Sequence, residues 1–353
     1  SYGQRDPGVL CRENAVRDTH KGADSMKVGK VSETILKRSI FKQIHTKRDE
    51  VLLGAGVGED CAAMKLAPGE IFVISTDPIT GTVKDIGTLA IQITANDLAS
   101  SGAEPVGVML TVLLPEEIEE ADIKQMMGEV EEACARFHIQ VMGGHTEVTR
   151  AVNQPIISVT GVGKVQEGHL VSTAGAKPGQ DILVTKWIGV EGTSIIAKEK
   201  EEELRKRFPA AFVETAKGFD RYISVVEDSK IAVKHGVSAM HDVTEGGIYG
   251  ALWEVAEASG VGLEIDLKAI PIRQETVEIC ECFELNPYYL ISSGCMLMAA
   301  DRGHDLVREL EKAGIPAAVI GKATDGKARR IVNGEDESFL ERPKTDELYK
   351  IYE

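Results

Sequence analysis

The stretch Gly54-Ala55-Gly56-Val57-Gly58-Glu59-Asp60-Cys61 sets three glycines at alternating positions directly ahead of two acids. An apolar run, Ile71 to Ile74, follows and ends in Ser75-Thr76-Asp77-Pro78. Glycine lets a backbone approach an anion closely, and carboxylates hold the hard cation that travels with a phosphate. The stretch therefore reads as half of a magnesium–nucleotide site, in which a strand delivers a carboxylate at its end. The rest of the chain has to alternate strands and helices so as to bring up the other half.

Apolar periodicity supplies that alternation. Val31, Ile35, Ile40, Phe41 and Ile44 fit one helical face, with Ser32 as N-cap and Lys30 either a nucleophile or phosphate contact or a solvated lysine at the helix start. Ile86, Leu89, Ala90 and Ile93 predict a helix over 87–101 that stops at Gly102. Asn96 and Asp97 continue the apolar face of that helix, where polar groups are costly unless satisfied. Two readings arise: a capping network at the helix end, or side chains aimed at the same metal site as Asp60 and Asp77. A strand is expected over 106–114, an amphipathic helix over 115–138 and a strand over 139–142. That last strand leads into a turn, Gly143-Gly144-His145-Thr146-Glu147, with two glycines for close approach and polar groups in reach. His145 reads equally as functional or structural, and 155–162 is a further strand.

The small, punctuated run 173–179 marks a candidate boundary. Beyond it come a strand over 181–185, a charge-rich helix end or linker over 198–207, a helix over 225–235 and a strand over 237–240. His241-Asp242-Val243-Thr244-Glu245-Gly246-Gly247 then opens a helix over 248–259. Free amides and the positive dipole end suit an anion there, while Asp242 and Glu245 also read as plain N-terminal caps. The expected organisation is an extension over 1–25, a first domain over 26–170, a second over 175–340 and a tail over 341–353. No G-x-G-x-x-G lies in a strand–helix unit, and no G-x-x-x-x-G-K-[ST] occurs.

A net charge of −16 lacks the basic face that nucleic acid or an anionic membrane requires. The six cysteines show no zinc spacing and no disulfide framework, so reduced thiols in a cytoplasmic protein are expected. No apolar run approaches the roughly 18–20 residues of a membrane span.

The ordered set G-x-G-x-G-E-D-x-A-A, S-T-D-P, N-D-L-A-x-x-G-A-E-P, G-G-H-T-E and H-D-V-T-E-G-G resembles the aminoimidazole-ribonucleotide (AIR) synthase superfamily, and within it the HypE-like branch. The resemblance runs from about Lys27 to Ala323. It implies a two-domain α/β (α+β) fold whose PurM-like first domain pairs with a second copy to close a β-barrel, with ATP in the adjoining groove. It implies transfer of the γ-phosphoryl of ATP to an amide-type oxygen, or kinase chemistry like that of thiamine-monophosphate kinase. It makes Asp60, Asp77 and Asp97 the Mg2+ carboxylates, with Asn96 beside them. Gly54, Gly56, Gly58, Gly143, Gly144, Thr146, Asp242, Glu245, Gly246 and Gly247 become nucleotide contacts, and His145 and Glu147 the base or orienting pair.

There are departures from the family pattern. His145 stands where the kinase and HypE branches carry aspartate, and no cysteine follows Cys295, so dehydration on a terminal tail cysteine is not expected. A nucleotide-binding accessory protein without catalysis is the reading from another class.

Overall fold

The computed structural model describes residues 27–80, 85–342 and 344–352; the extension expected over 1–25 lies outside them. The first sheet has the order β1-β6-β5-β7-β4. Its strands are β1 (Gly29–Lys30), β4 (Glu70–Thr80), β5 (Glu104–Leu114), β6 (Gln140–Val148) and β7 (Ile156–Gln166), and β2 (Val51–Leu53) pairs with β3 (Ala63–Met64) as a separate ribbon. Alternation decides its two faces. Val106, Val108, Leu110, Val112 and Leu114 of β5 are buried, whereas Thr111 is exposed. Helices Ile86–Ser100 and Glu120–Phe137 cover the buried face. The other face is open, and carries Phe72 and Ile74 at 44% and 59% exposure.

Three segments differ from the expectation. The Ile71–Ile74 strand runs on to Thr80, so Asp77 lies inside the strand. β6 likewise continues through Gly143–Glu147, which is strand and not turn, because it pairs in parallel with β5 as far as Leu114↔Val148. The helix foreseen from 115 begins at Glu120, where Glu119 and Asp122 form a reciprocal capping box. Near the start of the described chain, Leu36–Phe41 is a π-helix. The first sheet does not close on itself, so within one chain there is no barrel among the described residues.

The second sheet has the order β14-β13-β10-β12-β8-β11-β9. These are β8 (Asp181–Thr185), β9 (Ala239–Asp242), β10 (Gly262–Asp266), β11 (Met296–Ala300), β12 (Ala317–Thr324), β13 (Arg329–Asn333) and β14 (Asp336–Phe339). One apolar core is continuous between the halves, joining Ile91, Ala95 and Ala99 to Val225, Ala232, Met240 and Met296. The C-terminal segment is not a loose tail: Ile351 is buried against Ile196, Leu204 and Leu290.

Candidate functional site

β4 aims Ser75 and Asp77 at the helix that carries Asp97, because Ser75 and Asp77 pair with Gly161 and Val159 of the helix-covered face. Ser75 Oγ donates to Asp97 Oδ2 at 2.7 Å. The Asp77 carboxyl is also near enough to act on Asp97 and to favour its protonated form. Asp242, at the end of β9, is near enough to act on Asp97 by its charge. Burial, the neighbouring Asp77 carboxyl and the charge of Asp242 together push Asp97 up to about 8. Burial raises Asp242 as well. None of the three has an ion-pair partner among the described residues.

Like charges gathered with only His241, next to Asp242, to oppose them favour either a retained proton or a cation. The donor set is all oxygen, which suits a hard divalent ion. No three histidine, cysteine or acidic side chains among the described residues already stand in ligating geometry. A cation here would complete its shell with ligand oxygens and water, as magnesium commonly does.

Toward the β1 edge of the same sheet lies a separate cavity of about 440 Å³, lined by Ala55–Asp60, Lys30, Glu33, Leu36, Ile40, Phe41 and Gly143–Thr146 and by none of the three aspartates. Its size falls within the range of small-molecule sites. Two of the glycine motifs read from the sequence thus converge here, and the π-helix turns Leu36, Ile40 and Phe41 into the wall. Thr146 is buried on the pocket side. Asp60 sits on the pocket loop and is exposed. It does not join Asp77 and Asp97, so the expected metal trio is not assembled as such.

Four further expectations are changed by the geometry. Gly54 does not line the pocket; a side chain there would meet Gln140 Nε2 at 2.7 Å. His145 and Glu147 pair with Thr111 and Leu113, not with the buried Leu110 and Val112. They therefore point to the open face, away from the aspartates, where His145 Nε2 lies 3.0 Å from Glu147 Oε2.

Asn96 is 1% exposed and does not line the cavity. It donates to the Ile223 carbonyl at 2.8 Å and accepts from Val225 N at 2.9 Å, tying the two halves together. Asn96→Ala leaves both backbone groups buried and unpaired, at about 1–3 kcal/mol each. We expect the denaturant midpoint to fall by an amount equal to about 3 kcal/mol, and an unchanged midpoint contradicts the assignment.

Gly246 N donates to Asp346 Oδ2 at 2.8 Å, so that amide is not free for a phosphate. Glu245 accepts from Tyr349 Oη at 2.6 Å. Sequence reasoning missed Asp346, and also Glu191, which is 5% exposed and accepts from Ser293 N at 3.1 Å. Neither carries a local signal; a single acid in a helix or tail reads as solvated.

Two family models match the chain: the AIR synthase related protein N-terminal domain over 58–165 and its C-terminal domain over 177–333. The chain belongs to the AIR synthase superfamily of ATP-dependent enzymes. Among its relatives, the carbamoyl dehydratase HypE of Cupriavidus necator is 30% identical over 73% of this chain and 76% of its own length. A hydrogenase expression/formation protein of Methanocaldococcus jannaschii is 29% identical over 84% of this chain and 88% of its own. The fold is that of the hydrogenase maturation protein HypE in complex with ATP, with a TM-score of 0.76 and 20% identity over 91% of this chain and 97% of that one. It is also that of thiamine-monophosphate kinase from Stenotrophomonas maltophilia, with a TM-score of 0.70 and 23% identity over 87% and 98%.

Proposed function

We propose that this protein is a magnesium-dependent phosphoryl-transfer enzyme of HypE-like type that uses ATP to activate a carbonyl oxygen of an amide- or thioamide-like acceptor. The observation that carries the reading is the meeting of Asp77, Asp97 and Asp242 with no ion pair among the described residues, in a chain whose glycine loop borders a separate cavity. In this reading the aspartates hold magnesium, the glycine loop and Thr146 border the nucleotide, and Asp60 approaches the phosphates from its loop. Magnesium would neutralise the charge that develops on the transferred group, the main requirement of phosphoryl transfer. Ser75 orients Asp97 by its hydrogen bond. His145 and Glu147 face away, so they are assigned no proton transfer within the chain.

The division into a nucleotide-binding domain over 26–170 and a second domain over 175–340 is part of this reading. So is a homodimer in which the open face with Phe72 and Ile74 meets a second copy. The buried free thiols Cys134, Cys280 and Cys295 suit a reducing, cytoplasmic setting. No helix among the described residues is long and apolar enough to cross a membrane. The second reading, a small-molecule kinase, draws on the likeness to thiamine-monophosphate kinase.

The test is ADP release with Mg-ATP against carbamoylated peptides, purine-pathway amides and thiamine monophosphate. Turnover with a carbamoyl or amide acceptor supports the first reading, and phosphorylation of thiamine monophosphate the second. Tight ATP binding with no turnover on any acceptor sinks both in favour of an accessory role.

A further inference from the structure

The turn at 242–247 was expected to bind a phosphate, yet the chain fills it with its own carboxylate. Asp346 Oδ2 accepts from Gly246 N at 2.8 Å, and Oδ1 accepts from Leu348 N at 2.8 Å. Asp346 is 4% exposed and has no cationic partner among the described residues, so these amides are what hold it. Burial pushes its carboxyl up, and the N–H donors of Gly246 and Leu348 oppose that.

The turn is clamped from a second side. Gly246 and Gly247 have φ of +82° and +62°, and a side chain at Gly247 would meet Tyr288 O at 2.5 Å. The segment that brings Asp346 is anchored in turn. Tyr349 bonds to Glu245, Glu347 accepts from Asn286 N at 3.0 Å, and Ile351 is buried. Asp346 and its anchors Glu347, Tyr349 and Ile351 lie beyond residue 333, where the match to the family's C-terminal model stops.

We propose that Asp346 is a positioning residue of the active site: a tethered anion that occupies the amides of the 242–247 turn and fixes Asp242 against Asp77 and Asp97. Helix N-terminal amides bind an anion readily, and here the anion comes from the C-terminal segment. The turn then serves to hold a metal carboxylate, and the Gly246 amide does not touch a phosphate. The inference rests on the reading that Asp242 helps to hold Mg-ATP.

The experiment uses the full chain. Mg-ATP affinity is measured by calorimetry for wild type, Asp346→Ala and Asp346→Asn, each in sodium formate, in sodium chloride of equal ionic strength, and with formamide. Loss of a group that orients a metal ligand costs roughly 10–100-fold in affinity. Asp346→Ala is expected to lose affinity on that order in chloride and to regain most of it in formate, whose carboxylate refills the amides. Formamide, which lacks the charge, restores nothing, and wild type responds to neither. Asp346→Asn is expected to fall between.

If Asp346→Ala folds poorly in chloride, a formate-dependent rise in its thermal midpoint reads out the same refilling. Wild-type affinity in both variants overturns the proposal. So does a loss that formate does not repair in either affinity or midpoint. Failure of wild type to bind Mg-ATP overturns the function reading instead, and the formate effect on the midpoint still judges Asp346.

Discussion

Asp77→Asn lowers the affinity for Mg-ATP about 100-fold while leaving the fold intact. Breaking a buried charge interaction costs about 3 kcal/mol, and 1.4 kcal/mol is a factor of ten in affinity. Calorimetric titration checks the first half, and the thermal midpoint of the metal-free protein checks the second. That midpoint should hold or rise, because the substitution removes one of two carboxyls forced together.

The same pair predicts a pH dependence. Asp97 is raised from its ordinary 3.8 to about 8, so between these values the folded chain binds its proton more tightly than the unfolded chain does. Stability is then greatest at the acidic end of that window and falls as pH rises through it. Asp242 and Asp346, also raised by burial, act in the same sense. The metal-free wild type should therefore lose midpoint temperature toward about pH 8, and Asp77→Asn should flatten the slope. Wild-type Mg-ATP affinity in the variant removes Asp77 from the site.

Gly144→Ala should be the most damaging single change in the first sheet. Gly144 has φ +145°, and a Cβ there would lie 2.0 Å from the carbonyl oxygen of Leu110. The obstacle is the backbone of the paired strand, which cannot turn aside as a side chain does. Backbone strain of about 1–3 kcal/mol and overpacking of about 1–3 kcal/mol add to about 4 kcal/mol, a drop of roughly 8 °C or more in midpoint. A soluble variant with the wild-type midpoint refutes the close approach. The glycine is thus needed for strand pairing, which is a different reason from the phosphate turn that the motif suggests.

Much of the architecture was legible because apolar periodicity follows directly from burial. Asp181–Thr185 is a strand where the run of apolar residues placed one, and the helix at Ile86–Ser100 lies within a residue of its expected start and end. Asn96 and Asp97 were rightly marked as polar residues on a buried face, but adjacency hid their divergence. Consecutive helical residues are about 100° apart, so one turns to Ser75 and Asp77 and the other to the backbone at Ile223 and Val225. The Gly143–Glu147 segment was misread as a turn because paired glycines are common in turns. What overrides them is the parallel partner strand β5, which no local signal announces.

Residues Gly54 to Asp77 specify a glycine loop ahead of a strand and a carboxylate on that strand without help from the rest of the chain, since backbone freedom and apolar alternation are local properties. Long-range packing is what makes the loop line one cavity with Gly143–Thr146 while Asp77 turns to Asp97 and Asp242. The same packing brings Asp346 back across 100 residues to sit on the Gly246 amide. Those meetings are set by the side of a strand and the packing of distant segments, and spacing along the chain does not encode them.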